Sequence, residues 1–176
     1  MTRATPLDAV KAAFILLFAA LVQVSVLSTV EVAEGHLDLV LVVVVAIALL
    51  EGPAFGAVAG FWAGLVLDVS SLETLGLTSL LLTLAGYFAG RFGDVTSRTS
   101  AHPPLVAVVL ATIAVGFGSA VIHFMLGSGI SAAEFFAGVL LPGLALNMLF
   151  AYPVFRLIRR IFTTEAARRR EAGAAV

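Results

Sequence analysis

Ser119 and His123 are the residues whose types and spacing come closest to a catalytic pair. Four positions apart, they share one face of a helix and are within reach of a local hydrogen bond. A catalytic Ser–His pair usually joins different elements and adds a third, orienting group, so we interpret this pair as polar packing between helices. His36 and His102 lack metal-ligand spacing, and no H-E-x-x-H or Gly-rich phosphate loop is present. We therefore predict a protein that is not an enzyme and has no metal site or cofactor.

Three acidic residues lie at the ends of apolar segments. Glu51 and Asp68 are seventeen positions apart, which is about 25 Å of α-helix against a hydrocarbon layer of about 30 Å. We interpret them as boundary residues near the two membrane interfaces; the alternative is that one dips inward to meet a partner helix or a small cation. Only about 18 Å of apolar helix separates Asp38 from Glu51, so at least one of that pair should lie below the headgroups.

The composition is that of an integral membrane protein. Of the 176 residues, 61% are hydrophobic and 12% are charged, against roughly 25% charged residues in a soluble domain. Long apolar runs without alternation predict helices and not a β-barrel. The chain has no cysteine, which excludes disulfides, thiolate metal sites and a cysteine nucleophile.

Six apolar segments predict six transmembrane helices in an all-α fold. The first is longer than the apolar region of a signal peptide and has no cleavage pattern, so we expect a permanent helix. The segments are residues 12–30, 39–50, 52–67, 75–90, 105–126 and 135–155.

The distribution of positive charge predicts the orientation. With six spans and a cytoplasmic N-terminus, all ten Lys and Arg residues fall on the cytoplasmic side. We therefore predict a transmembrane domain over residues 1–162 and a basic cytoplasmic tail over 163–176, whose arginines would attract anionic lipids. The second and third segments are short enough to form a re-entrant hairpin instead, and the charge pattern fits both arrangements.

Glycine recurs at every fourth position through the third segment, and the pattern returns in the fourth. Small residues in this register let helix backbones approach closely in lipid, so the stripe predicts a tight helix contact. We expect that contact to be internal, with a partner protein as the alternative. Pro53 predicts a helix start just after Glu51. The glycines are Gly52, Gly56, Gly60 and Gly64, then Gly86 and Gly90.

The order of these features over residues 37–91 resembles the MreD family of rod shape-determining membrane proteins. The resemblance lies in an Asp-Leu helix opening, a Gly-Pro turn, G-x-x-x-G-F-x-x-G-L-x-x-D, a Leu-Gly pair and a final G-Y-x-x-G-R. Leu37 departs from the family, which has proline before the Asp. The matching positions are Asp38, Leu39, Gly52, Pro53, Gly56, Gly60, Phe61, Gly64, Leu65, Asp68, Leu75, Gly76, Gly86, Tyr87, Gly90 and Arg91.

The resemblance implies a multi-pass, non-catalytic subunit of the cell-elongation machinery in a bacterial cytoplasmic membrane. Such a subunit would bind MreC and, through it, associate with the MreB filament, the glycosyltransferase RodA and a class B penicillin-binding transpeptidase; no nucleic-acid partner is expected. The matching residues would then serve interaction or packing. MreD is also similar in fold to the substrate-binding subunits of energy-coupling-factor vitamin transporters, so a solute-binding transporter subunit is the alternative function.

Overall fold

The computed structural model describes residues 6–25, 37–71, 75–96, 102–125 and 135–174. These residues form six α-helices, and a six-residue π-helical segment, Phe135–Leu140, precedes the last of them. The helices are α1 (Pro6–Ser25), α2 (Leu39–Glu51), α3 (Pro53–Ser71), α4 (Leu77–Val95), α5 (His102–Met125) and α6 (Leu141–Ala174).

The predicted all-α membrane architecture with six helices is confirmed. By length and composition, α1, α3, α5 and the first part of α6 are long and apolar enough to cross a membrane. In α4, Arg91 and Asp94 interrupt the apolar sequence, and α2 has only 13 residues. The four long apolar stretches are Pro6–Ser25, Pro53–Ser70, Pro104–Ile122 and Gly138–Phe162.

The short helix α2 forms the centre of the protein. Every side chain from Val40 to Leu49 is at most 5% exposed. Helices α1, α3, α4, α5 and α6 all contact α2. A helix that is apolar on all sides is expected to be buried on all sides, and the Val-rich sequence of α2 meets that expectation. At about 20 Å long, α2 is shorter than the helices that surround it.

A tight turn at Gly52 and Pro53 joins α2 to α3. Gly52 has φ of 95°, a left-handed value that favours glycine. Its N–H donates to Ala48 O at 2.8 Å, and its carbonyl accepts from Gly56 N at 2.9 Å, so the turn satisfies backbone groups of both helices. Pro53 occupies the first position of α3, where its missing N–H costs nothing. The chain therefore reverses direction within two residues.

The glycine stripe of α3 faces α4 of the same chain, and the two helices run antiparallel. A Cβ atom on Gly60 would collide with the carbonyl oxygen of Leu82, and one on Gly56 would come within 2.5 Å of the Gly86 carbonyl oxygen. Gly64 lies equally close to the backbone of Ser79. Any side chain larger than hydrogen at these positions would push the two backbones apart.

Several helices extend beyond the apolar segments that predicted them. Helix α4 continues past the predicted end at residue 90 to Val95, and α5 begins at His102 within the predicted loop. Helix α6 runs without a break through Pro153 and through the predicted domain boundary at residue 162, and it ends at Ala174. The apolar run marks the part of a helix that lipid or protein surrounds, whereas the helix itself ends where its backbone hydrogen bonding stops.

Candidate functional site

Four polar side chains, three from helices α1, α5 and α6 and one from the residue before α2, meet at the N-terminal end of α2. We call Gln23, Asp38, Thr112 and Asn147 the polar cluster. Gln23 lies near the end of α1, Asp38 precedes α2, Thr112 is in α5 and Asn147 is in α6. The cluster therefore joins the central helix to three of the helices around it.

Asp38 and Gln23 cap the first turn of α2. The Asp38 carboxylate accepts from Leu41 N at 3.0 Å, as an N-cap residue does. Gln23 donates from Nε2 to the same carboxylate oxygen at 3.3 Å and accepts from Val40 N at 2.8 Å. A side chain of α1 thus satisfies a backbone donor of α2 that the helix itself leaves unpaired.

Asn147 extends the cluster to α5 and α6. Its Oδ1 accepts from the backbone N–H of Asp38 at 2.9 Å, and its Nδ2 donates to Thr112 Oγ1 at 3.0 Å. Asn147 is 1% exposed and Thr112 is 7% exposed. An unpaired amide would be costly in an apolar interior, so these two hydrogen bonds fix how α6 meets α2 and α5.

Two members of the polar cluster lie well inside long apolar stretches of sequence. Thr112 is near the middle of the apolar stretch Pro104–Ile122, and Asn147 lies well inside Gly138–Phe162. Polar residues at such depth are rare in membrane-spanning helices and usually belong to a bundle interior or a functional site.

A cavity of about 260 Å³ adjoins the polar cluster between α5 and α6. All four cluster residues line this cavity, which we call the polar cavity, and Ser119 adds a hydroxyl. The remaining described wall is apolar or glycine, and it includes Leu37, Leu41, Val115, Gly116, Leu140 and Gly143.

A second space is an apolar groove between α4 and α5 with a volume of about 380 Å³. We call it the α4–α5 groove. Leu84 and Phe88 line its α4 side, and Leu110 and Ala114 line its α5 side. Its described lining residues have no polar side chain, so it suits an apolar chain or helix.

Asp68 caps α4 from the neighbouring helix. Its carboxylate accepts from Gly76 N at 2.9 Å, Thr78 N at 3.0 Å and Ser79 N at 3.1 Å. Asp68 is 0% exposed. The negative charge therefore lies at the positive end of the α4 dipole, where it satisfies backbone donors that have no partner within the helix.

The remaining predicted site residues occupy separate places. Glu51 is half-buried at the end of α2, while Phe61, Tyr87 and Arg91 are exposed on α3 and α4. The structure thus brings Asp38 into a polar cluster and places Asp68 at a helix cap. It does not join the predicted residues in one site.

The hydrogen bonds of Thr112 and Asn147 were not predicted from the sequence. Both were visible as isolated polar residues within otherwise apolar runs, a signal that often marks buried polar contacts. Ser119 lines the polar cavity. The side chain of His123 and the whole of His36 lie outside the described residues.

Comparison with known protein families identifies a relationship that covers most of the chain. The family model described as "rod shape-determining protein MreD" matches residues 7–162, which is most of the chain. Neither a curated protein nor a solved structure matches the sequence. The family match extends well beyond the residues that first indicated it, from α1 into α6, and the chain therefore belongs to the MreD family of rod shape-determining proteins.

Proposed function

We propose that this protein is a non-catalytic membrane subunit of the bacterial cell-elongation complex, that it binds MreC, and that it helps to organise lateral peptidoglycan synthesis. The observation that carries the proposal is the MreD family match over residues 7–162. Membership of this family implies a role in determining rod shape. Through MreC, the protein would associate with the MreB filament, RodA and a class B penicillin-binding transpeptidase.

The use of the interior polar groups supports a scaffold. The carboxylate of Asp68 accepts hydrogen bonds from the backbone of α4. The side-chain amide of Asn147 accepts from the backbone N–H of Asp38 and donates to Thr112. These groups hold helices in fixed positions. A rigid bundle of this kind is suited to presenting constant surfaces to other membrane proteins.

We place the protein in the cytoplasmic membrane with both termini in the cytoplasm. The positive-inside distribution of Lys and Arg supports this orientation. Arg156, Arg159 and Arg160 are exposed on α6, where they would lie at the cytoplasmic surface and attract anionic lipids.

The α4–α5 groove is our candidate site for a membrane segment of MreC. Its apolar lining offers no hydrogen bonds, so an occupant would gain chiefly by close packing, as helices in lipid do. Phe88 is 64% exposed and Leu110 is 56% exposed, and a bound helix would cover both. The glycine stripe is already occupied by α4, which leaves the groove as the stronger candidate surface.

Affinity purification from native membranes, with identification of the recovered proteins, tests the proposed function. We expect MreC and the elongation synthases to be recovered, and depletion of the protein to abolish rod shape. Absence of MreC from a preparation that retains folded protein would refute the binding proposal.

The polar cavity favours one second candidate, a solute-binding subunit of an energy-coupling-factor-type transporter. A small number of convergent polar groups in an apolar wall is the usual form of a ligand site, and the polar cluster provides such groups. The same purification separates the two functions, because the transporter would bring down an ATPase and its coupling protein instead of MreC.

A further inference from the structure

We propose that the membrane segment that occupies the α4–α5 groove carries an acidic side chain near its cytoplasmic end, and that this carboxylate forms an ion pair with Arg91. The inference rests on the proposed function, in which the segment belongs to MreC, and it names the contact that fixes the segment in place. It is carried by the position of Arg91 on α4, by the contacts of Arg91 with the described residues and by the apolar lining of the groove.

Arg91 lies at one edge of the α4–α5 groove. Leu84 and Phe88 line the α4 side of the groove. Arg91 follows them by seven and three residues, a spacing that places all three on one side of the helix. The side chain of Arg91 is exposed. A helix seated against Phe88 therefore passes beside the guanidinium group.

Arg91 has no hydrogen-bond or ion-pair partner among the residues that the structure describes, whereas Arg159 and Arg160 of α6 both interact with other residues. Asp94 follows Arg91 by three residues on α4 and interacts with a different residue. Within the described part of the chain, all five N–H donors of the Arg91 guanidinium group are therefore available to an acceptor from outside.

Seating a helix in the groove makes a partner for Arg91 necessary. The helix would cover Phe88, which is 64% exposed, and it would also displace water and lipid headgroups from the neighbouring guanidinium group. A charged group that loses its solvent without gaining a partner is costly. The described lining of the groove has no polar side chain, so the acceptor has to come from the occupant.

A carboxylate meets this requirement better than a neutral acceptor does. The guanidinium group presents its donors in a planar fork, and a carboxylate accepts two of them in parallel. Tyr87 lies one turn before Arg91, is 43% exposed and offers a phenolic hydroxyl at the same edge. An aspartate or glutamate at this level would receive directional hydrogen bonds, while the rest of the segment is held by packing.

The groove also sets where the acidic residue lies along the segment. Helix α4 ends at Val95 and α5 begins at His102, so Arg91 is near the end of the groove at which the two helices are connected. Leu81 and Val115, which are apolar, line the opposite end. In the proposed orientation, the connected end faces the cytoplasm. The ion pair would therefore fix both the depth and the direction of the segment.

Affinity purification of the full-length protein from native membranes tests the ion pair, with recovery of MreC as the readout. Arg91→Gln removes the charge and keeps hydrogen-bond donors, whereas Arg91→Glu reverses the charge. We expect recovery of MreC to fall about tenfold with Arg91→Gln and further with Arg91→Glu. Arg156→Gln, at an exposed arginine of α6 outside the groove lining, is the control and should recover MreC like wild type. Unchanged recovery with a folded Arg91→Gln variant would overturn the inference.

Charge exchange identifies the acidic residue. Each Asp and Glu at the cytoplasmic end of the MreC membrane segment is replaced in turn by Arg and combined with Arg91→Glu. Restored recovery with one of these exchanges, and not with the others, supports the ion pair. If no exchange restores recovery while the Arg91→Glu variant remains folded by SDS titration, the ion pair is contradicted.

A groove substitution separates this inference from the function on which it rests. If Ala114→Phe, within the groove lining, lowers the recovery of MreC and Arg91→Gln does not, the groove binds MreC and only the ion pair is wrong. If the wild-type protein recovers no MreC, the proposed function fails and the inference fails with it.

A lipid phosphate is the other anion that an exposed arginine binds at a membrane surface. Mass spectrometry of the purified protein measures the phosphatidylglycerol that it retains. Loss of this lipid from Arg91→Gln, with unchanged recovery of MreC, would assign Arg91 to a lipid headgroup and overturn the inference. Unchanged lipid with lowered recovery of MreC supports the ion pair.

Discussion

Gly60 of α3 lies so close to Leu82 of α4 that a Cβ atom on Gly60 would overlap the leucine carbonyl oxygen. The obstacle is backbone, which cannot rotate away as a side chain can. The separation of α3 and α4 is therefore set by the absence of a side chain at this position, and the helices gain close packing along the whole stripe.

We expect Gly60→Ala to destabilise the protein by about 1–3 kcal/mol, because the added methyl group overpacks a contact that has no room for it. The measurement is reversible unfolding by SDS titration in mixed micelles. Val58→Leu, on the same helix at a position that is 59% exposed, is the control and should leave the free energy of unfolding nearly unchanged. A Gly60→Ala variant as stable as wild type would show that the two backbones can separate at little cost.

Replacing Asp68 tests the cap of α4. Asp68→Ala leaves the N–H groups of Gly76, Thr78 and Ser79 without the carboxylate that accepts from them, so we expect a loss of about 1–3 kcal/mol. Asp68→Asn keeps one acceptor oxygen and should fall between Ala and wild type. Hydrogen exchange at these three amides gives a local readout, and we expect faster exchange in both variants. Unchanged exchange in Asp68→Ala would contradict the capping role.

A double-mutant cycle tests the contact between Asn147 and Thr112. We expect Asn147→Leu and Thr112→Val each to destabilise the protein, and the double variant to be less destabilised than the sum of the two. The coupling free energy should be about 0.6–2 kcal/mol, the range for hydrogen bonds between helices in lipid. Unfolding by SDS titration supplies all four values, and strictly additive effects would argue against the hydrogen bond.

The proposed partner site in the α4–α5 groove predicts a selective loss of MreC binding. Ala114→Phe places a bulky ring in the groove, whereas Ile113→Phe adds a ring of the same size at the adjacent exposed position outside its lining. We expect Ala114→Phe to lower the recovery of MreC in affinity purification several-fold and Ile113→Phe to leave it unchanged. Equal recovery of MreC with both variants would show that MreC binds to a different surface of the protein.

Local sequence features predicted much of the architecture. The apolar runs predicted the positions of the helices, and the four-residue spacing of glycine predicted a close helix contact. The aliphatic run of α2 contains the signal for complete burial, because none of its faces is polar. Pro53 begins α3 as its position predicted.

The contacts of the polar cluster could not be read in the same way. Asp38 and Asn147 are separated by 109 positions. The sequence around either residue does not indicate that the other is its hydrogen-bond partner. Thr112 and Asn147 were recognisable as buried polar residues, but the identity of each hydrogen-bond partner depends on how the helices are arranged in three dimensions. The far ends of α4 and α6 escaped prediction for a different reason, since hydrophobicity does not report where helical hydrogen bonding ends.

The hydrogen bond from Asp38 to Asn147 has a consequence for biosynthesis. A ribosome makes α2 well before α6, so more than a hundred residues are synthesised between the backbone N–H of Asp38 and the Asn147 side chain that accepts from it. Until α6 enters the membrane, the central helix lacks one of its walls and the first turn of that helix lacks this hydrogen bond. Insertion of α6 therefore adds one side of the packing around α2 and supplies this hydrogen bond in the same step.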